Sequence, residues 1–338
     1  MDKKLKVGII GTGRIGKVHT MSIMNYLPQV EIDAVTDIFE DQAKEWAAQT
    51  GIKKVYKDYM ELLSDPEIDA VLICSSTDTH ADIAIQAAKA GKHIFCEKPV
   101  DLSVEKVEAV IEAAKKAGVK LQIGFNRRFD HNFRKVKELI DSGTIGDLQI
   151  LKITSRDPSP PPIEYVKVSG GMFMDMTIHD FDMGRFLSNS EAREIYVAAA
   201  CMVDPAIGEA GDVDTAMITI KFENGVICVI DNSRKAVYGY DQRVEAFGSK
   251  GKIEITNDHP STAVWCTETG VYSEKPLHFF LERYMDSFAE EMKQFVGALI
   301  NDTETPVTGK DGLQPIKMGL AAKKSVEEGR PVKLSEIG

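Results

Sequence analysis

Three side chains in this sequence have the types and spacing to handle a proton and a developing negative charge. Asp175 and His179 stand four residues apart in Gly170-Gly171-Met172-Phe173-Met174-Asp175-Met176-Thr177-Ile178-His179-Asp180-Phe181-Asp182. If the stretch after the glycines is helical, that spacing puts both on one face, with Asp182 three residues further on. A carboxylate one turn from an imidazole can fix its tautomer and poise it as a general base near neutral pH. Taken alone, the pair also suits an ordinary polar helix face, and D-x-x-x-H-x-x-D suits a metal site, although no further ligand accompanies it and no metal is expected. The third side chain is Lys98, between Glu97 and Pro99 after a short apolar run. At the end of a parallel strand it would stand at the mouth of a crevice, where an ammonium can hold an oxyanion. On an arbitrary strand end it would be a solvated surface lysine.

The elements that must position these groups begin with Leu5 to Ile10, a β-branched run followed by Gly11-Thr12-Gly13-Arg14-Ile15-Gly16 and a helical stretch to about Tyr26. A second strand, Glu31 to Thr36, ends at Asp37, 21 positions beyond Gly16. G-x-G-x-x-G between strand and helix, with an acidic residue at the next strand end, is the fingerprint of a dinucleotide site. Gly11 permits the tight turn, Gly13 lets the backbone approach a pyrophosphate, and Gly16 lets helix and strand pack closely, while the helix N-terminus supplies donors. Asp37 would accept from a ribose diol. Ile38 and Phe39 follow it, so no neighbouring cation or hydroxyl offers to hold a 2′-phosphate, and NAD is expected over NADP.

Strands near Lys54 to Tyr56, Ala70 to Cys74, His93 to Cys96 and Lys120 to Ile123 alternate with helices near Tyr59 to Leu63, His80 to Ala90 and Val104 to Ala117. Unalternated apolar strands suit a parallel, doubly wound sheet covered on both faces. In such a sheet ligands lie beyond the carboxyl ends of the strands. Gly11, Asp37, Ser75, Ser76, Thr77, the following His80, Glu97, Lys98 and the stretch from Gly124 to Arg127 should therefore border one crevice, with Arg14 and Ile15 at the glycine-rich turn.

The second half changes character. After a helix near Asn132 to Ser142, strands dominate: Leu148 to Ser155, Glu194 to Ala200, Ala216 to Phe222, Val226 to Asp231, Gln242 to Phe247 and Lys252 to Ile255. Asn224-Gly225 is a favoured hairpin turn, so this sheet should be largely antiparallel. Pro158-Ser159-Pro160-Pro161-Pro162 reads as a stiff loop. Helices return at about Phe279 to Ile300 and Gln314 to Glu328. The expected architecture is α/β: a Rossmann domain over 1–124 and an α+β domain over 125–338 with an open-faced, mainly antiparallel sheet, the C-terminal helix able to pack back on the first domain.

Composition narrows the partners. The 338 residues are 43% hydrophobic and 28% charged, as in folded globular proteins. With 41 Lys plus Arg against 52 Asp plus Glu the net charge is −11, which argues against nucleic acid and anionic membranes. The longest nearly unbroken apolar run, Ile195 to Val203, is less than half of the roughly 20 residues a membrane helix needs. The stretch after Lys3, Lys4 and Lys6 is too short for a secretory core, so a cytoplasmic location is expected. Cys74, Cys96, Cys201, Cys228 and Cys266 form no C-x-x-C pair and read as reduced packing residues.

The glycine-rich turn, E-K-P at Glu97 to Pro99 and G-G-x-x-x-D-x-x-x-H from Gly170 to His179 together resemble the glucose–fructose oxidoreductase and inositol dehydrogenase family, over essentially the whole chain. Gly124-Phe125-Asn126-Arg127-Arg128-Phe129-Asp130, Ser155-Arg156-Asp157-Pro158 and Tyr238-Gly239-Tyr240-Asp241 are similar to the inositol 2-dehydrogenases within it. Ser169 departs from the pattern, standing where many members have a third glycine. The resemblance implies an NAD-binding domain, a sheet domain used in tetramer formation, and a Lys98-Pro99 bond that is often cis, which would aim the lysine inward. It implies that His179 takes the hydroxyl proton of a cyclic polyol such as myo-inositol as hydride leaves for the nicotinamide. Asp175 would orient that base and Lys98 hydrogen-bond the reacting oxygen. Asn126, Arg127, Asp157 and Tyr240 would contact cofactor or polyol. Scyllo-inositol or another sugar as substrate, a catalytically silent NAD- and sugar-binding regulator, and NAD-dependent glycoside hydrolysis are the alternatives, and the three retained reactive side chains favour the dehydrogenase.

Overall fold

The computed structural model describes residues 4–338, so Lys3 lies outside the described residues. In chain order the first elements are β1 (Leu5–Ile10), α1 (Arg14–Tyr26), β2 (Val30–Thr36), α2 (Glu40–Thr50), β3 (Lys54–Tyr56), α3 (Tyr59–Ser64), β4 (Ala70–Ile73), α4 (Thr77–Lys89), β5 (His93–Glu97), α5 (Val104–Ala117) and β6 (Leu121–Gly124). The six strands form one parallel sheet in the order β3-β2-β1-β4-β5-β6, the reversal beside β1 being that of a doubly wound nucleotide-binding sheet. Then come α6 (His131–Asp141), β7 (Leu148–Arg156), α7 (Ile163–Val166), α8 (Met172–Asp175), α9 (Thr177–Ser188), β8 (Ala192–Ala200), α10 (Pro205–Glu209), β9 (Thr215–Phe222), β10 (Ile227–Ser233), β11 (Asp241–Gly248) and β12 (Gly251–Ile255). A hairpin of β13 (Val264–Thr267) and β14 (Gly270–Ser273), then α11 (Phe280–Arg283), α12 (Met285–Ile300), α13 (Gly309–Glu328) and β15 (Val332–Lys333) complete the chain.

The chain divides into two compact units, 1–129 with 286–316, and 130–285 with 317–338. A single cut after Gly124 does not describe it. Met292, Phe295 and Val296 of α12 join Val7, Ile9, Leu72, Cys74 and Phe95 in one buried core, so apolar burial assigns this late helix to the nucleotide-binding unit. Asp130 begins the second unit. Its carboxylate accepts from the amides of Asn132 and Phe133 at the start of α6 and is paired with buried Arg283.

The second unit carries a seven-stranded sheet in the order β12-β11-β7-β10-β9-β8-β15. All neighbours are antiparallel except β7 and β10, which run parallel. Gly225, at a φ of 90°, turns β9 into β10 as Asn-Gly predicts. One face, with Leu151, Ile153, Ile218, Ile220, Cys228, Ile230 and Val244, is buried, and α9 packs on β7 and β10. The opposite face leaves Ile150, Tyr196, Met217, Ile227 and Phe247 exposed. Cys74, Cys96 and Cys228 are buried, whereas Cys201 and Cys266 are exposed rather than packed. Among the described residues no helix is long and apolar enough to cross a membrane.

The sharpest steric constraint is at the first turn. Gly11 has a φ of 97°, and a Cβ there would lie 2.6 Å from the Cys74 backbone. A Cβ on Gly16 would lie 2.0 Å from the Gly11 carbonyl oxygen. Helix propensity alone makes Gly16→Ala favourable by about 1 kcal/mol, but the collision is with backbone that cannot swing aside. We expect Gly16→Ala to lower stability by about 1–3 kcal/mol instead, read as a lower urea midpoint.

Candidate active site

The nucleotide-binding unit brings its predicted residues to the carboxyl ends of the strands. Gly11 is buried in the turn after β1, while Gly13 and Arg14 are exposed at the start of α1, and a Cβ on Gly13 would meet nothing within 4 Å. That open space at a helix N-terminus is what a pyrophosphate requires, so the residues present fit a dinucleotide. Asp37 has a structural duty that its spacing did not reveal. Oδ2 accepts from the Thr12 amide at 2.6 Å and the Thr12 hydroxyl at 3.0 Å, and Oδ1 from the Phe39 amide at 2.9 Å, so the acidic residue also staples the turn. Oδ1 keeps a lone pair for a ribose hydroxyl. Ile38 beside it is 90% exposed.

Ser75, Ser76 and Thr77 lead into α4, the Ser75 hydroxyl lying 2.7 Å from that of Thr79. His80, expected among the cofactor contacts, is instead buried. Its Nδ1 lies 2.8 Å from the Pro99 carbonyl and its Nε2 3.0 Å from that of Ser75, so both ring nitrogens already face backbone and the ring ties the two strand ends together. Glu97 is likewise turned inward: Oε1 lies 2.6 Å from buried His19 Nε2, and a Cβ on Gly124 would sit 2.8 Å from Oε2. Lys98 follows, half-buried, and the Lys98-Pro99 bond is cis. Asn126 and Arg127 lie in a short 3-10 turn after β6, both buried, and the Asn126 side-chain amide donates to the Ser287 hydroxyl at 3.3 Å.

In the second unit the glycine-rich stretch before Asp175 makes a turn and then two helices. Gly170 and Gly171 have φ values of 84° and 80°. A Cβ on Gly171 would come 2.6 Å from Asp212, whose carboxylate accepts from the Met172 amide at the start of α8. Ser169 does not spoil the turn; its hydroxyl accepts from the Gly171 amide at 3.4 Å. The single helix expected here breaks at Met176, so Asp175 closes α8 and His179 lies in the first turn of α9. Both are half-buried; Asp182 is buried and lies 3.9 Å from the Arg185 guanidinium. The start of α9 is pinned to β10: the Thr177 hydroxyl donates to the Asn232 side-chain oxygen at 2.7 Å, and the Asn232 amide donates to Asp180 at 2.9 Å.

Asp175 is held from two sides. Tyr165 donates to Oδ1 at 3.0 Å, and Arg234 Nη1 to Oδ2 at 3.1 Å. The same Nη1 reaches Asp157 at 3.3 Å. Burial disfavours the charge on Arg234, yet Asp175 and Asp157 hold its pKa above the ordinary value, so it stays a cation. The predicted Asp157 and Asp175 are thus brought together by a residue the sequence did not point to. Tyr165, also missed, stands just after the Pro-rich loop, in α7 capped by Pro162. Tyr240 is buried with its ring edge-on to Tyr284 and 6.2 Å from Phe279, so most of its surface serves packing.

The fold and these two groups of residues define a two-unit oxidoreductase built on a dinucleotide-binding sheet. Residues 5–125 match the model of an oxidoreductase family with an NAD-binding Rossmann fold, and residues 133–254 the C-terminal domain of the same family, GFO/IDH/MocA. The chain belongs to that family. It is 50% identical over 333 residues to the myo-inositol 2-dehydrogenase of Thermotoga maritima, spanning 98% of this chain and 99% of that one. It is 35% identical to the scyllo-inositol 2-dehydrogenase (NAD(+)) of Bacillus subtilis, over 99% of this chain and 97% of that one. Among solved structures, the scyllo-inositol dehydrogenase of Lactobacillus casei with bound NAD(H) and scyllo-inositol superposes with a TM-score of 0.92 at 30% identity, over 98% of this chain and all of that one.

Arg234 is 3% exposed and its two carboxylates 17% and 15%. Leaving a fully buried pair without its cation costs about 3–5 kcal/mol, and with this residual exposure Arg234→Met should cost about 2–3 kcal/mol. Denaturant unfolding of the two proteins at neutral pH measures it.

Proposed function

We propose that this protein oxidises a ring hydroxyl of a cyclic polyol, first of all myo-inositol to 2-keto-myo-inositol, with NAD as the oxidant. The observation that carries the reading is the way Asp175 is fixed by Arg234 and Tyr165 two residues before the helix whose first turn holds His179. Such a carboxylate can orient an imidazole and balance the charge it gains. His179 takes the hydroxyl proton. Lys98 hydrogen-bonds the same oxygen and stabilises its negative charge as the carbonyl forms. NAD supplies the acceptor for the hydride leaving the carbinol carbon, so two electrons and one proton pass to it and a second proton to the base. Asn126, Arg127, Asp157 and Tyr240 are the proposed further contacts to cofactor and substrate. NAD is favoured over NADP because Asp37 offers a 2′-phosphate only acceptor oxygens and no donor.

The outer face of the sheet exposes Ile150, Tyr196, Met217, Ile227 and Phe247 together, and we assign that face to a homotetramer contact. Five free cysteines suit a reducing cytoplasm.

The direct test follows NADH formation by absorbance with myo-, scyllo- and chiro-inositol and glucose. Lys98→Ala and His179→Ala should each lower kcat by at least about 10³-fold while NAD binding, read by fluorescence, persists. Near wild-type kcat in either variant overturns the assigned roles, and NAD binding without turnover of any polyol by the wild type would point to a regulator.

The cofactor preference has its own test. Asp37→Ala should weaken NAD binding about tenfold, as loss of a charged hydrogen bond of about 1.4 kcal/mol implies, and should narrow the ratio of kcat/KM for NAD over NADP. Equal wild-type rates with both cofactors would remove Asp37 from the role given to it.

A further inference from the structure

Behind Lys98 the nucleotide-binding unit encloses a carboxyl group that nothing answers. Glu291, on α12, is 0% exposed, and neither of its oxygens has a hydrogen-bond partner. Facing it are His19 from α1 and Glu97 from the end of β5, each of the three offering an atom within 4.8 Å of the others. His19 and Glu97 are already joined at 2.6 Å. The other polar groups around the site include the Cys74 thiol just past β4 and the Cys96 thiol of β5, both of which burial and then Glu97 hold protonated, and Gln122 of β6, whose amide reaches the Glu291 backbone carbonyl at 3.5 Å. No cation is among these neighbours.

An ionised Glu291 would place a second negative charge beside Glu97 in a dry interior, which is strongly unfavourable. A divalent cation is one remedy and a proton the other. Ligands at about 2.0–2.1 Å from a metal stay about 2.9 Å or more apart at right angles, so the 2.6 Å contact of His19 with Glu97 is too short for two ligands of one ion. The contact suits a hydrogen bond, and the proton is the simpler remedy.

We propose that Glu291 is a neutral carboxylic acid that keeps its own proton beside the His19–Glu97 pair, and that it is a positioning residue for the strand end that presents Lys98. Glu97 is the residue before Lys98, and its carboxylate occupies the space left by the missing Cβ of Gly124. A third buried group within 4.8 Å of that carboxylate limits the space it can move into, and with it the freedom of the backbone leading to Lys98. Burial first, and then Glu97, push the Glu291 carboxyl well above its ordinary value.

The sign of the pH dependence follows. A carboxyl raised in the folded state favours folding fully below its unfolded value, and that contribution is lost as pH rises toward the folded value. Glu291→Gln mimics the neutral acid and cannot ionise. Relative to wild type its folding equilibrium constant should therefore gain tenfold per pH unit above about pH 5, measured by urea unfolding up to about pH 8.

The infrared difference spectrum of wild type against Glu291→Gln should show the carbonyl stretch of a protonated carboxyl group, shifted in D2O. In the kinetic arm, which alone rests on the dehydrogenase reading, Glu291→Gln should keep kcat within about twofold and Glu291→Ala lose at least about tenfold, with the KM for NAD little changed. A missing carbonyl band, a pH-independent stability difference, Glu291→Gln as impaired as Glu291→Ala, or stoichiometric divalent metal in the purified protein each overturns the proposal. If the wild type turns over no polyol, the dehydrogenase reading fails while the infrared and stability arms still decide this one. If Glu291→Ala does not fold, Glu291→Gln and the spectrum still decide it.

Discussion

Charge drawn out of water must be met by an opposite charge, a hydrogen bond or a proton, and both units of this protein are organised around meeting it near their reactive groups. In the second unit Arg234 answers Asp157 and Asp175 together. Arg283 answers Asp130, whose carboxylate also starts a helix. In the first, His19 answers Glu97. The compensating partner in each case comes from a distant part of the chain, so forming the fold and setting the charge of the site are one event.

That is also why the sequence was legible in some places and opaque in others. The glycine-rich turn, Asp37 and the parallel strands are local patterns, and local spacing suffices to read them. Arg234 lies 59 residues from Asp175 and 77 from Asp157, and nothing in Ser233-Arg234-Lys235 marks one cation over the other. The break at Met176 has no proline or glycine to announce it. The α2 helix buries only Ala43 and Ala47, too thin a stripe to give a helical period. Nothing local to His80 announces that its ring lies between the carbonyls of Ser75 and Pro99, because that placement depends on where the next strand ends.

The domain boundary shows the same limit on a larger scale. The α12 helix is amphipathic, and that much is readable, but which of two cores receives its apolar face is settled by packing with residues some 200 positions earlier. Phe295 against Phe95, with ring centroids 5.7 Å apart, is a contact that no periodicity encodes. The net charge of −11 is similarly uninformative at the site, where the exposed Arg14 and the backbone amides of the first turn present positive potential locally.

The double engagement of Asp37 bears on how readily this scaffold changes cofactor over evolutionary time. An acidic residue that served only the ribose would be a free dial, replaceable in one step. Here the same carboxylate closes the loop on Thr12 and Phe39, so any replacement that welcomes a phosphate must also supply the acceptor those donors lose. Under the proposed role of Asp37 at the ribose, a change of cofactor would therefore loosen the turn unless a second substitution restored the acceptor.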